Sequence, residues 1–157
     1  MEEILTHQKP ETRNVSLAHK PDTSDLLFVS MKKRADYLAL AKGLYQARPH
    51  LVIQVRPHHV GEDKNDAQTP IMIGITATKK VGGAVKRNRA KRRLRALAKT
   101  AISQWGLKDC DYVFIARAAT GEAPYASLLD DAKAALLRLS TKLKEKPAKM
   151  AAILNRP

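Results

Sequence analysis

Between Ala67 and Lys108 the chain carries no Asp or Glu, while Lys79, Lys80, Lys86, Arg87, Arg89, Lys91, Arg92, Arg93, Arg95 and Lys99 crowd into 21 consecutive positions. Within the same run Ala90, Leu94, Leu97, Ala98, Ala101, Ile102 and Trp105 recur at steps of three and four. That is the spacing of one helix face, so the segment predicts an α-helix with an apolar core side, ending around Trp105-Gly106. Arg87, Lys91, Arg95 and Lys99 step by four, with Asn88 and Arg92 beside them, which predicts a cationic stripe on the outward surface. Like charges one turn apart repel by a few tenths of a kcal/mol per pair, and cations in the first half of a helix oppose its dipole. A charge run is ordinarily a solvated face of mixed sign. A single-sign stripe working against both terms points to a polyanion that neutralises it.

The rest of the composition fits a basic folded domain. The chain has 157 residues, 29 Lys plus Arg against 15 Asp plus Glu, and a net charge of +14. With 44% hydrophobic residues it can fill one core, and with 4% aromatics the packing falls to Leu, Ile, Val and Ala. One cysteine, Cys110, allows no internal disulfide, which suits a reducing compartment. No apolar stretch reaches the roughly 18–20 residues of a membrane helix, and Met1-Glu2-Glu3-Ile4 does not start like a signal peptide. The expectation is a cytoplasmic protein with a nucleic-acid partner, no membrane partner and no obligatory protein partner.

Along the chain, residues 1–26 predict a flexible arm, 27–144 one folded nucleic-acid-binding domain and 145–157 a basic tail. A short helix is expected over Lys32–Lys42, with Ser30 as a cap, Tyr37, Leu38 and Ala41 on its apolar side and Gly43 as its stop. Leu51, Ile53 and Val55 alternate with Val52, Gln54 and Arg56 in a strand that Pro57 ends, and the stretch from Pro57 to Pro70 is turn-rich. A second strand covers Ile71–Thr78, with Ile71, Ile73, Ile75 and Ala77 inward. Gly82-Gly83 predicts a tight turn into the basic helix. Tyr112–Arg117 reads as a third strand, and Pro124 opens a last helix with the stripe Leu128, Leu129, Ala132, Leu136, Leu139 and Leu143. This order predicts an α/β fold, a compact two-layer sandwich with a small sheet packed on helices.

The segment Thr78–Arg95, TKKVGGAVKRNRAKRRLR, closely resembles the signature of the protein subunit of bacterial ribonuclease P, including its Arg87-Asn88-Arg89 core. The resemblance spans roughly residues 31–143, through Ala35-Asp36-Tyr37, Leu51–Val55, Ile73-Gly74-Ile75-Thr76 and Asp111–Arg117. It implies a left-handed crossover around the basic helix, contrary to the usual preference. It also implies a protein that binds a catalytic RNA and the 5′ leader of precursor tRNA, supporting removal of that leader, with Mg²⁺ held by the RNA. By matched position, Lys79, Lys80, Lys86, Arg87, Asn88, Arg89, Lys91, Arg92 and Arg95 would face the RNA subunit. Tyr37, Val52, Gln54, Thr76 and Thr78 would line the leader cleft. Tyr37 stands where Phe is commoner and Gln54 where an aromatic often sits, which implies weaker stacking.

The residues themselves supply no hydrolytic centre. His7, His19, His50, His58 and His59 fall in the arm or in loops, and no carboxylate pair accompanies them at a spacing suited to Mg²⁺. His58-His59 near Glu62, Asp63 and Asp66 lacks a fixed second shell, so no metal site is expected. Gly82-Gly83 sits in no phosphate-loop pattern, and Cys110 reads as a packed residue. The alternative is a non-catalytic RNA-binding module of ribosomal or RNA-chaperone type, or a basic-helix DNA binder. Composition does not separate these from the ribonuclease subunit.

Overall fold

The computed structural model describes residues 26–57, 70–108 and 110–154, with 146–154 as backbone alone. Its elements are β1 (Phe28–Ser30), α1 (Arg34–Ala41), β2 (Leu44–Ala47), β3 (Leu51–Pro57), β4 (Ile71–Thr76), a 3₁₀ turn (Lys79–Val81), α2 (Ala84–Trp105), β5 (Cys110–Ala116) and α3 (Tyr125–Leu154). The five strands form one sheet in the order β1-β4-β5-β3-β2. β4 and β5 are parallel neighbours joined through α2, β1 is parallel to β4, and β2, β3 and β5 pair antiparallel.

Alternation along the strands decides what each face meets. Leu51, Ile53 and Val55 of β3, Ile71 and Ile73 of β4, and Tyr112 and Phe114 of β5 all point to one side and are buried there. On that side α2 contributes Ala90, Leu94, Leu97, Ala98, Ala101 and Ile102, and α3 contributes Leu128, Ala132, Ala135, Leu136 and Leu139. Sheet, α2 and α3 thus make the two layers that the periodicity predicts. Burying each Leu or Ile of this core stabilises the fold by roughly 1.5–3 kcal/mol. On the opposite face lies the short α1, whose Leu40 packs on Val113 with Met31, and with Tyr37, Met72 and Ile115 at its margin.

Several local expectations are corrected. Ser30 does not cap the first helix: it belongs to β1, paired with Ile73, and the helix starts at Arg34 after Lys33. Leu38 is 54% exposed while Leu40 is 2% exposed, so the buried side of α1 runs through Tyr37 and Leu40. Ala41, expected inward, is exposed. The strand expected to reach Thr78 stops at Thr76, because Thr78 precedes the 3₁₀ turn and Val81 folds back into the core. β1 and β2 have no counterpart in the sequence-based reading. Leu26 packs against the core, and α3 runs through Leu154.

A polar hub ties the end of the sheet to the helices. Asp131 on α3, 6% exposed, accepts from His50 N at 3.1 Å and from His50 Nδ1 at 2.7 Å, with Arg48 Nε 3.4 Å from its other oxygen. Thr120 donates to His50 O and accepts from Arg117 N, and Arg93 on α2 donates through Nη1 to Thr120 O and through Nη2 to Ala123 O. Arg93 is therefore a structural cation, set apart from the outward face of its own helix.

Candidate nucleic-acid interface

Two surfaces carry the residues singled out from sequence. On α2, Lys86, Asn88, Arg89, Arg92, Arg95 and Lys99 are exposed, and Arg87 and Lys91 are half-buried. The row Arg87, Lys91, Arg95, Lys99 is therefore not uniformly outward. Four residues overshoot one turn of 3.6 by about 40°, so the row winds from the flank of the core into solvent. Arg87 Nε is buried without a hydrogen-bond partner, so the base of its guanidinium lies against the protein. Lys79 and Lys80 stand exposed on the 3₁₀ turn just ahead of α2.

That turn is set by one glycine. Gly82 adopts φ +137°, a region L side chains avoid, and its N–H donates to Lys79 O at 3.2 Å. Gly83 has φ −68°, precedes the helix and accepts from Arg87 N at 3.0 Å. No side chain caps α2 and no acidic residue stands in its first turn. The helix start and its flanking lysines thus form a continuous electropositive surface.

The second surface is the sheet face that carries α1. The strand registers align Tyr45, Gln54, Val113 and Gly74 in one row across β2, β3, β5 and β4, and Ala47, Val52, Ile115 and Thr76 in the next. Val52, Gln54, Ile115 and Thr76 are half-buried, and Thr78 is exposed just beyond β4. Tyr37 sits at the far end of the first row, with its ring on Gly74 and its hydroxyl donating to Met31 O at 3.3 Å. The fold therefore brings Tyr37, Val52, Gln54 and Thr76 to one face. It adds two residues that sequence reasoning missed, Ile115 in the floor and Tyr45, 62% exposed beside Gln54. The signal for Tyr45 was an aromatic two residues past Gly43, the glycine that stops α1, and it was unreadable without β2.

The histidines do not assemble a reactive centre among the described residues. His50 is spent on Asp131, and His7, His19, His58 and His59 lie outside the described residues, as do Glu62, Asp63 and Asp66. Asp111 accepts from Met72 N at 2.9 Å. Among the described residues no group of three or more His, Cys, Asp or Glu could hold a metal ion. Cys110 is buried, as expected of a packing residue. No helix of the described residues is long and apolar enough to cross a membrane.

Comparison with known proteins places the chain in a family. The ribonuclease P family model matches residues 28–140. The ribonuclease P protein component of Caulobacter vibrioides (strain NA1000 / CB15N) is 43% identical over 127 residues, covering 81% of this chain and 80% of the relative. That of Ruegeria pomeroyi is 40% identical over 110 residues, covering 69% and 84%. Among solved structures, the Staphylococcus aureus RNase P protein superposes with a TM-score of 0.50 at 25% identity, covering 68% of this chain and 91% of that one. The Thermotoga maritima RNase P protein shares the fold, with a TM-score of 0.53 at 21% identity over 70% of this chain and 96% of that one. A family model matched over residues 28–140, and relatives 40–43% identical that cover more than two thirds of the chain, show that the chain belongs to the ribonuclease P protein component family.

Proposed function

We propose that this protein component of ribonuclease P lays the α2 face against the RNA subunit and offers the α1 side of the sheet to the 5′ leader of precursor tRNA. The observation that carries the reading is the exposed, acid-free cationic surface from Lys79 to Lys99, whose partner must supply dense negative charge. Lys79, Lys80, Lys86, Arg87, Arg89, Lys91, Arg92 and Arg95 meet phosphates, contacts that position an RNA without reading its sequence. Asn88, at the start of the helix, supplies a neutral donor and acceptor among them.

On the opposite face the leader lies over Val52, Ile115 and Thr76, with Thr78 at the exit, between Tyr37 and Tyr45. An unpaired base stacked on an aromatic side chain gains about 1–3 kcal/mol. Three strand spacings of roughly 4.8 Å separate Tyr45 from the Gly74 position beneath Tyr37, enough for several nucleotides of a single strand. Tyr45 thereby supplies the aromatic that Gln54 does not.

Bond scission and its Mg²⁺ belong to the RNA subunit in this reading. The carboxylates that face the strands, Asp111 and Asp131, are engaged by Met72 N and by His50, which leaves them poorly suited to clamping a catalytic ion. The test is reconstitution with a ribonuclease P RNA and cleavage of a precursor tRNA at low Mg²⁺. The protein stimulates cleavage and is inert alone, and Tyr45→Ala weakens binding of a precursor with a leader but not of a leaderless tRNA. Absence of stimulation, or cleavage by the protein alone, contradicts the proposal.

A further inference from the structure

At one edge of the sheet the ladder between β1 and β4 stops at Ser30 and Ile73, while β4 runs on to Thr76. β1 is the outermost strand there, so among the described residues no strand continues the pairing. Ile71 N donates to Leu27 O at 2.8 Å and Met31 N to Ile73 O at 2.9 Å, so the odd-numbered residues of β4 turn their backbone groups toward β1. In a parallel ladder that alternation passes to Ile75, whose N–H and C=O face out of the open edge.

This edge borders a cleft of about 610 Å³. Phe28, Ile73 and Ile75 give it an apolar wall, Tyr37 also lines it, and Arg95 and Lys99 stand on its α2 side. The volume falls within the roughly 300–1,000 Å³ of sites that enclose a small ligand. A donor and an acceptor on one strand edge match the hydrogen-bonding edge of a nucleobase, apolar and aromatic side chains match its faces, and two exposed cations match its phosphates.

We infer that this cleft seats one unpaired nucleotide of the RNA subunit, with its base edge on Ile75 N–H and C=O and its phosphates on Arg95 and Lys99. The inference rests on the proposed function. The RNA subunit is the occupant because Arg95 and Lys99 continue the cationic row of α2. The floor assigned to the leader, Val52, Ile115 and Thr76, lies on the other face of the sheet, and Tyr37 at the edge borders both sites.

Ala96 is exposed and lines the cleft, and the single cysteine, Cys110, is 3% exposed. The full chain with Ala96→Cys, carrying an azidophenacyl photo-crosslinker, is therefore assembled with the full-length RNA subunit and precursor tRNA. Crosslinks map to an unpaired nucleotide of the RNA subunit. Lys99→Ala, and Ala96→Trp, which fills the cleft, each weaken binding to that RNA about tenfold. Should Ala96→Trp fail to fold, the crosslink and Lys99→Ala decide. Crosslinking to the leader, or to neither RNA in a complex that assembles and cleaves, overturns the inference. Failure of the unaltered protein to bind the RNA overturns the proposed function instead.

Discussion

The ring of Tyr37 lies on the backbone of Gly74: a methyl group at that position would stand 2.6 Å from Tyr37 Cε1 and 3.1 Å from Val113 Cγ2. The glycine is what lets α1 approach the sheet and hold an aromatic at the end of the cross-strand row. Gly74→Ala therefore destabilises the fold by about 1–3 kcal/mol, the scale of an overpacked contact. Tyr37→Leu in the same chain recovers part of that loss. Urea unfolding of the two single variants and the double variant measures it, and additive losses would contradict the contact.

The two glycines ahead of α2 differ in what they do. Gly82 holds φ +137°, and a Cβ there would also meet Lys86 Cδ at 2.7 Å, whereas a Cβ on Gly83 meets nothing within 4 Å. Gly82→Ala costs about 1–2 kcal/mol and loosens the Lys79–Lys80 turn. Gly83→Ala leaves thermal stability within about 0.5 kcal/mol. Equal losses in the two variants would refute the assignment.

Asp131 is nearly buried and answers His50 and Arg48 together. Removing it strands a backbone N–H and two side chains, so Asp131→Ala costs about 3 kcal/mol in denaturant unfolding. His50→Ala costs less. When assayed below its unfolding transition, it supports precursor cleavage at the rate of the unaltered protein, whereas a general base would lose activity with its stability intact.

The Tyr112 phenol is pushed upward by burial, against the opposing hydrogen bond to Leu107, whose N–H donates to the hydroxyl at 2.7 Å. The folded protein therefore keeps this proton where the unfolded chain releases it. Its contribution is whole below the ordinary tyrosine value of about 10 and falls as pH rises beyond it. Stability measured across that range declines with a steeper slope in the unaltered protein than in Tyr112→Phe, and parallel slopes would contradict the assignment.

How much of this was legible in the sequence follows from periodicity. Ala90, Leu94, Leu97, Ala98, Ala101 and Ile102 are all buried, and the long helices and the alternating strands announce themselves. β1 is three residues and β2 reads Leu-Tyr-Gln-Ala, both too short and too mixed for an alternation signal. Their absence hid Tyr45 and the open edge of β4. The role of Arg93 was unreadable because only the β5–α3 turn distinguishes it from its cationic neighbours. Leu38 and Leu40 look alike in an eight-residue helix, and only contact with Val113 selects Leu40.

The most direct test of the account is the salt dependence of affinity for the ribonuclease P RNA, measured with the full chain and with Arg92→Ala and Arg95→Ala. The eight phosphate contacts proposed for this surface predict a loss on the order of ten-thousandfold between 50 and 200 mM salt, and each substitution lowers the slope by about one. An affinity that barely changes with salt, or slopes untouched by either substitution, would contradict a cationic helix face as the RNA-binding surface.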